Sequence, residues 1–575
     1  MRTQPTIKEQ LDGFPFFQFT ILCIIRLAEP IAFASFLSYI FFMIKSFRIA
    51  KTDADVSRYT GYLASAFSIS QFLTSVRWGR ASDRYGRKPM ILLGCLGTAV
   101  SMLVFGFSVN FYMALCARAM MGILNGNVSI MRTMAGEIAV EKRHQGIAFS
   151  NLSLIWSLGK AGGYFIAGNL VDVDHFRNYK RDNQELTLVS KDVLASTPTL
   201  KTTLIPTVVP NLVPTSTQSL TGLGLFKKFP FAFPNVVIFF IILIHTTFGW
   251  FFLEETHEKQ RVKRDRGLEI GDRLKKICGL KVPDRDWKIR KDEASEYLIG
   301  NHNDYSDDEY PEEETDDFEM LTLNANTNNN EEEREVEEEE EMEEQNIGES
   351  LPTLSLFTWP IIWRIACNFL ISFGNIIYTE FLPVFLAKSV DVDSLNPPFH
   401  IKGSFGMNSA STGKMLSITG LTSVIAVSLL FPAINQRFTV LEAFRLGLII
   451  IPVFYFVLPL TIFTIPQYLG TNYDIATPLL YLNGFMISFV GSITFSQVTL
   501  LIHRATPKKH RAVINGYTIS CTALAKFVSP LIWGFIMTKM DLKGLGGLSW
   551  WLLGFVSLAA LGVTFLLSEN DDQED

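Results

Sequence analysis

Several ionisable residues fall inside long apolar runs, among them Arg26, Glu29, Arg118, Lys160, Glu380 and Lys526. A charge in such a setting is costly unless it meets a partner or a water-filled cavity, so it marks a structural pair or a path for ions and solutes. Arg26 and Glu29 stand three apart on one helix face and can neutralise each other; Pro30 beside them removes a backbone hydrogen bond and kinks the helix. This suits a proton or substrate site at mid-depth, and equally a structural pair beside a cytoplasmic pathway. Glu380, in Tyr378-Thr379-Glu380-Phe381-Leu382-Pro383, is an isolated carboxylate. Desolvation disfavours its charged form, so it could load and release protons as its access alternates; the other reading is a solvated group at the far membrane interface. Arg118 opens the series Arg118-x-x-x-Gly122-x-x-x-Gly126, in which small residues let helices approach closely, and it then needs a counter-charge or carbonyls. Lys160 and Lys526 lie too far from their helix ends to snorkel easily. They either line a central cavity and attract an anionic solute, or pair with Glu29 and Glu380. Gln71 and Asn483 are weaker polar candidates for the same cavity.

The elements that carry these residues are membrane spans. The chain has 575 residues, 48% of them hydrophobic, and apolar runs of roughly 20 residues recur along it, the length a bilayer core requires. Twelve are expected, at about 15–45, 59–79, 89–109, 111–136, 145–170, 231–253, 356–388, 409–432, 443–465, 475–503, 511–537 and 548–568. The first is too long for a signal peptide, and Phe33-Ala34-Ser35-Phe36 offers no cleavage site. Basic residues cluster after the second and tenth runs (Arg77, Arg80, Arg84, Arg87, Lys88; Arg504, Lys508, Lys509, Arg511) and are missing after the third and ninth, which places both termini in the cytosol.

Residues 304–345 hold 21 Asp and Glu against one Arg; without them the formal charge of −6 becomes about +14. Such a segment cannot bury a core and should be disordered, within a central cytosolic loop at 254–355. The expected organisation is a cytosolic segment 1–14, a first bundle 15–253, that loop, a second bundle 356–568 and an acidic tail 569–575. The six cysteines have no metal or disulfide spacing and read as packing residues. The N-x-S/T sequons, at Asn127 and Asn151, fall inside expected helices, so the outer loops offer no glycan acceptor, which favours a vacuolar or other internal membrane over the cell surface. An internal repeat is visible: Glu141-Lys142-Arg143-His144 and Lys508-Lys509-His510-Arg511 each precede a helix that carries a lysine, Lys160 or Lys526, with small residues three positions on.

Between the second and third runs lies Gly79-Arg80-Ala81-Ser82-Asp83-Arg84-Tyr85-Gly86-Arg87-Lys88. This order matches the G-x-x-x-D-R-x-G-R-K loop of major facilitator superfamily transporters, and over about 57–170 Gly61-Tyr62, Trp78-Gly79 and Arg118 follow in the family's order. The chain resembles the zinc-induced-facilitator-like and related fungal branch, near the twelve-helix drug:proton antiporters. The resemblance implies an all-α membrane protein with twelve transmembrane helices in two pseudo-symmetric six-helix bundles around a central cavity. It also implies that Arg118 with Gly122 matches a motif associated with proton coupling. The loop Gly79, Asp83, Arg84, Gly86, Arg87, Lys88 would close the bundles on the cytosolic side, with Asp83 stabilising that state and Arg84, Arg87 and Lys88 at the lipid headgroups. One departure stands out. Where members carry G-P-x-x-G-G in the fifth helix, this chain has Gly163-Tyr164-Phe165-Ile166-Ala167-Gly168, preceded by Lys160, which puts the family's drug or metal–chelator export in doubt.

The expected function is secondary, proton-coupled transport of a small organic solute by a monomer that needs no cofactor or metal and binds no nucleic acid. The partners are the solute, protons and the bilayer. The alternative readings are a non-transporting nutrient sensor on the same scaffold, whose acidic loop binds a cytosolic partner, and an uncoupled facilitator. An enzyme is not expected, since no nucleophile–base pair, phosphate loop or metal cluster stands out.

Overall fold

The computed structural model describes residues 13–171, 229–285 and 358–567, apart from 140, several positions within 278–284 and 427–436, and 507–510. The acidic segment 304–345 and nearly all of the 171–230 loop lie outside the described residues. The longer helices are α1 Phe16–Ser35, α2 Asp55–Tyr85, α3 Arg87–Gly106, α4 Phe111–Ile123, α5 Asn127–Ile138, α6 Lys142–Leu170, α7 Ala232–Phe252, α8 Arg266–Ile277, α9 Trp359–Ala387, α10 Ser409–Ile425, α11 Val440–Leu460, α12 Ala476–Ala505, α13 Arg511–Leu542 and α14 Gly546–Thr564. Local chemistry starts several of them: the Asn110 and Asn408 side chains cap α4 and α10, and Thr439 with Glu442 forms a reciprocal capping box on α11. Eight helices among the described residues are long and apolar enough to cross a membrane. The remaining expected spans correspond to α2, to α4 with α5, to α6 and to α10, which carry charges, a break or a shorter apolar stretch.

Three expectations change. The first run is not one helix: α1 passes through a 3-10 turn at Phe36–Ser38 into a short helix, Ile40–Ser46. The run at 111–136 also breaks, at Leu124-Asn125-Gly126. Side chains of α2 take up carbonyls at this break: Trp78 Nε1 donates to Ile123 O (2.7 Å) and Gln71 Nε2 to Asn125 O (3.2 Å). An orphaned carbonyl in an apolar bundle is costly, so these two donors make the break tolerable. Third, residues 79–88 do not form a loop. α2 continues to Tyr85, α3 begins at Arg87, and the reversal rests on Gly86 alone, whose φ of +103° is open to glycine but strained for an L side chain.

α1 packs on α6 and α3 on α7 in the first half; α11 packs on α12 and α14, and α9 on α13, in the second. The halves meet through α2 against α13 and α6 against α10. These contacts gather toward the end of the molecule away from Gly86. A Cβ on Gly413 of α10 would stand 2.6 Å from Tyr164 O and 2.9 Å from Gly168 Cα of α6. Ser65 Oγ donates to Phe527 O (2.9 Å), and Thr538 Oγ1 to Ala54 O (3.0 Å), across the α2–α13 seam. At the same end Lys388 and Asp541 form a buried ion pair, and Asp53 accepts from Lys45 (2.6 Å) and from Ser389 Oγ (2.5 Å), tying one half to the other. Burial opposes ionisation of Asp53, but these bonds outweigh it and hold its carboxyl below the usual range. Toward the Gly86 end, Gly79 of α2 and Gly516 of α13 have no neighbour within 4 Å of a Cβ position. The halves are closed at one end and parted at the other.

Candidate functional site

Four groups of side chains occupy the cleft and its ends. The first is on α1. Arg26 and Glu29, both buried, form the ion pair that their i, i+3 spacing predicts. Arg26 also lies 5.0 Å from the Trp156 ring of α6. Pro30 is held against Gly159 of α6, where a larger residue would collide with its ring.

The second is Arg118 with Glu380. Arg118 is 1% exposed on α4, yet among the described residues no salt bridge includes it. Its guanidinium carbon sits 4.0 Å from the Phe36 ring centroid and 4.9 Å from that of Phe67, and its Nε donates to Leu63 O (3.5 Å). Aromatic faces and one carbonyl hold this cation in place of a direct counter-ion. Glu380, from α9 of the other half, is its longer-range electrostatic partner. Glu380 is buried and its Oε2 has no hydrogen-bond partner, so the structure does not place it at a solvated interface. Arg118 and Glu380 come from opposite halves, and α9 contacts α2 and the 36–46 segment of the first half.

The third group is cationic. Lys526 of α13 is exposed although it lies in the middle of a membrane-length helix, Arg132 of α5 is exposed, and Lys160 of α6 is half-buried. Lys160 and Lys526, from opposite halves, are within electrostatic range of each other, and Lys526 is within range of Arg26, Glu29 and Arg132. Among the described residues no salt bridge includes Lys160, Lys526 or Arg132. The alternative in which the two lysines pair directly with Glu29 and Glu380 is therefore not what the geometry shows. Arg132 was missed as a site residue: nothing in its local sequence distinguishes it from other charges near a helix end. Two other candidates turn inward. Asn483 is buried in α12 and donates to Phe454 O of α11 (2.8 Å), bracing the second half, and Gln71 serves the break after α4.

The fourth group surrounds Gly86. Asp83 pairs with Arg87, which also reaches Glu137 of α5 (3.2 Å). Lys88 is 3% exposed and bonds Asp265 (2.6 Å). Glu255, just beyond α7, accepts from the backbone N–H groups of Arg87 (2.9 Å) and Lys88 (3.0 Å), supplying an acceptor for the first turn of α3. Gln260 donates to Arg84 O (2.9 Å). Thus Arg87 and Lys88 do not face lipid headgroups; acidic residues of the first half and of the segment after α7 take them. Arg84 and Asp83 are exposed. Gly79 faces open space, and in this conformation the turn makes no contact that bridges the two halves among the bonds described.

Similarity to known proteins agrees with this architecture. A family model described as the Major Facilitator Superfamily matches residues 22–178. Over 99% of its length the chain is 29% identical to the major facilitator superfamily multidrug transporter mfsB of Aspergillus fumigatus, of which the match covers 86%. A stretch of 164 residues, 28% of this chain, is 37% identical to the protein zinc induced facilitator-like 1 of Arabidopsis thaliana, and spans about a third (34%) of that protein. The fold is shared with a bacterial homologue of the human lysosomal transporter Spinster, solved inward-facing and occupied: TM-score 0.56 and 11% identity, over 98% of this chain and 99% of that one. With its membrane-length helices, its cleft between two helical halves and the turn at Gly86 in the expected order, this chain is a multi-pass membrane protein similar along nearly its whole length to a major facilitator superfamily transporter, and it acts as a secondary transporter.

Proposed function

We propose that the chain is a proton-coupled transporter of an organic anion, working by alternating access, with the Gly86 end facing the cytosol. The observation that carries this reading is the charge imbalance of the cleft. Glu29 is taken by Arg26, while Arg132, Lys160 and Lys526 have no carboxylate at ion-pair distance among the described residues. Uncompensated cations in a cleft of low dielectric favour an anionic guest, which supplies the missing counter-charge. Trp156, with Phe33 5.9 Å from it, offers an apolar wall for the guest's body, in keeping with the similarity to a multidrug transporter. Glu380 supplies the proton site: a buried carboxyl, facing an arginine of the opposite half, changes its surroundings whenever the halves move. Solute and proton then each bind one orientation better than the other, and this differential is what drives the exchange.

The test uses the purified chain in sealed vesicles carrying a pH-sensitive dye, challenged with pools of organic anions and of organic cations. Anion-dependent proton movement supports the reading; a response to cations alone rejects the substrate class. Lys526→Met is expected to raise the concentration of anion needed for half-maximal flux at least ~10-fold, the scale of losing one charge-assisted contact, with the quantity of protein in the membrane unchanged. Equal half-saturation in variant and native protein would remove Lys526 from the solute site.

Asp83 enters through the cycle rather than through this conformation. It is 62% exposed here and bonds Arg87 of its own half, which leaves it available to the other half when the Gly86 end closes. Asp83→Ala should lower turnover ~10-fold or more without reducing membrane insertion, the cost of losing one or two charged contacts in the closed state. Normal turnover, measured against protein quantified in the vesicles, would show that the turn fixes topology and no more.

A further inference from the structure

We propose that α8, Arg266–Ile277, lies in the bilayer surface on the Gly86 side and docks on anionic lipid headgroups. The argument starts from the sequence Arg-Gly-Leu-Glu-Ile-Gly-Asp-Arg-Leu-Lys-Lys-Ile, which at about 100° per residue divides the helix into three sectors. One sector is buried against the end of α7. Gly267 and Gly271, one turn apart, sit on the Trp250 and Phe251 carbonyls, where any side chain would collide. Leu268, Asp272 and Lys275 are buried on the same side. The second sector is apolar and unpartnered: Ile270, Leu274 and Ile277 are 41%, 40% and 81% exposed. The third is cationic: Arg266, Arg273 and Lys276 are exposed and form no ion pair among the described residues, while the one acidic residue there, Glu269, is taken by Arg264 (2.9 Å).

A helix whose apolar sector borders a cationic one matches the boundary between hydrocarbon and headgroups. Continuity with the membrane-facing surface selects that occupant over a soluble partner. Exposed Trp250 and Tyr85 stand beside α8, and the exposed Phe240 and Ile244 of α7 carry the apolar surface on into the spanning region. Phe17, half exposed at the start of α1, lies 4.5 Å under Lys275 Nζ. Aromatic and basic side chains gathered at one level are what anchors a protein at the interface. Anionic lipid is selected over neutral lipid because three exposed cations, Arg266, Arg273 and Lys276, project from one edge with no ion pair among the described residues.

The helix is also fixed to the transporter's moving parts. Asp265 accepts from the N–H groups of Gly267 (2.8 Å) and Leu268 (3.2 Å) at the start of α8 and from Lys88 beside the Gly86 turn. Arg285 bridges Asp272 (2.8 Å) and Glu254 (2.7 Å). Burial opposes its charge, but the two carboxylates outweigh this and raise its pKa above the ordinary arginine value. Lipid bound along α8 is therefore bound to the first half as a rigid body.

The test is backbone hydrogen exchange of the full chain in bilayer discs of phosphatidylcholine, with or without phosphatidylglycerol. Residues 266–277 are expected to exchange at least several-fold more slowly when phosphatidylglycerol is present, while α7 is unchanged. The triple variant Arg266→Gln, Arg273→Gln, Lys276→Gln should lose this difference, and its retained α7 protection shows that it is folded. Ile270→Ser with Leu274→Ser and Ile277→Ser should raise exchange in both lipids. Equal exchange of the native helix with and without phosphatidylglycerol, or a difference that survives the charge variant, overturns the proposal. So does equal protection by inorganic phosphate added to phosphatidylcholine discs, which would identify a soluble anion site instead. None of these outcomes depends on the solute.

Discussion

Glu380→Gln is expected to abolish proton movement in sealed vesicles, a loss of ~100-fold or more, the lower end of what a positioned proton-transfer group contributes. Glutamine keeps the shape and the packing but cannot bind and release a proton. The carboxyl it replaces is buried, has an oxygen with no hydrogen-bond partner, and faces Arg118 across the two halves. On the proposed mechanism, a charged Glu380 favours the arrangement that brings Arg118 near, and a protonated one releases it. The variant is held in the second condition, so the conformational equilibrium loses its dependence on the proton gradient. Solute-for-solute exchange, which needs no net proton transfer, should survive. Folding should survive as well, because glutamine keeps the volume of the side chain and, among the described residues, no salt bridge to Glu380 is broken. Counterflow of labelled solute and dye-reported proton flux measure the two properties separately. Proton flux at the native rate would remove Glu380 from the coupling path; loss of both signals together with lower thermal stability would make it a structural residue.

Gly413→Val should shift the molecule away from the conformation described above by roughly 5- to 150-fold, the population change that corresponds to ~1–3 kcal/mol of overpacking. The Cβ position of Gly413 faces Tyr164 O at 2.6 Å and Gly168 Cα at 2.9 Å, and both neighbours are backbone, which cannot swing away as a long side chain would. Since α10 and α6 belong to different halves, the strain is relieved by parting them at that end. Transport should fall by at least ~10-fold, because a carrier held in one orientation cannot complete its cycle. Thr538→Cys provides the readout: Thr538 is 4% exposed in the closed seam between α13 and α2, and its modification by a membrane-impermeant thiol reagent should speed up when Gly413→Val is added. Gly562→Val is the control, since nothing lies within 4 Å of its Cβ position. Unchanged modification of Thr538→Cys would mean that the α6–α10 contact does not govern the opening of that end.

The sequence determined by itself what depends on near neighbours along one helix. Apolar runs of membrane length pointed to helices long enough to cross a bilayer, eight of which stand among the described residues, because hydrocarbon demands a helix of about that length whatever surrounds it. The Arg26–Glu29 pair followed from spacing alone, and the repeated lysines from matching positions in each half. Only the tertiary structure decided the rest. The break at Leu124-Asn125-Gly126 is tolerated because Trp78 and Gln71 of another helix donate to its carbonyls, and Gln71 is thereby spent on structure rather than on the cleft. Arg87 and Lys88 looked like headgroup anchors in the sequence, but Glu137 and Asp265, distant in the chain, claim them. Arg118 needed a counter-charge in the sequence; Phe36, Phe67 and a carbonyl hold it instead, leaving Glu380 of the other half free to act at longer range. Periodicity and charge report the solvent each residue faces, which is a property of one segment. Which residues meet across the cleft is set by how segments hundreds of residues apart pack, and no single segment contains that information.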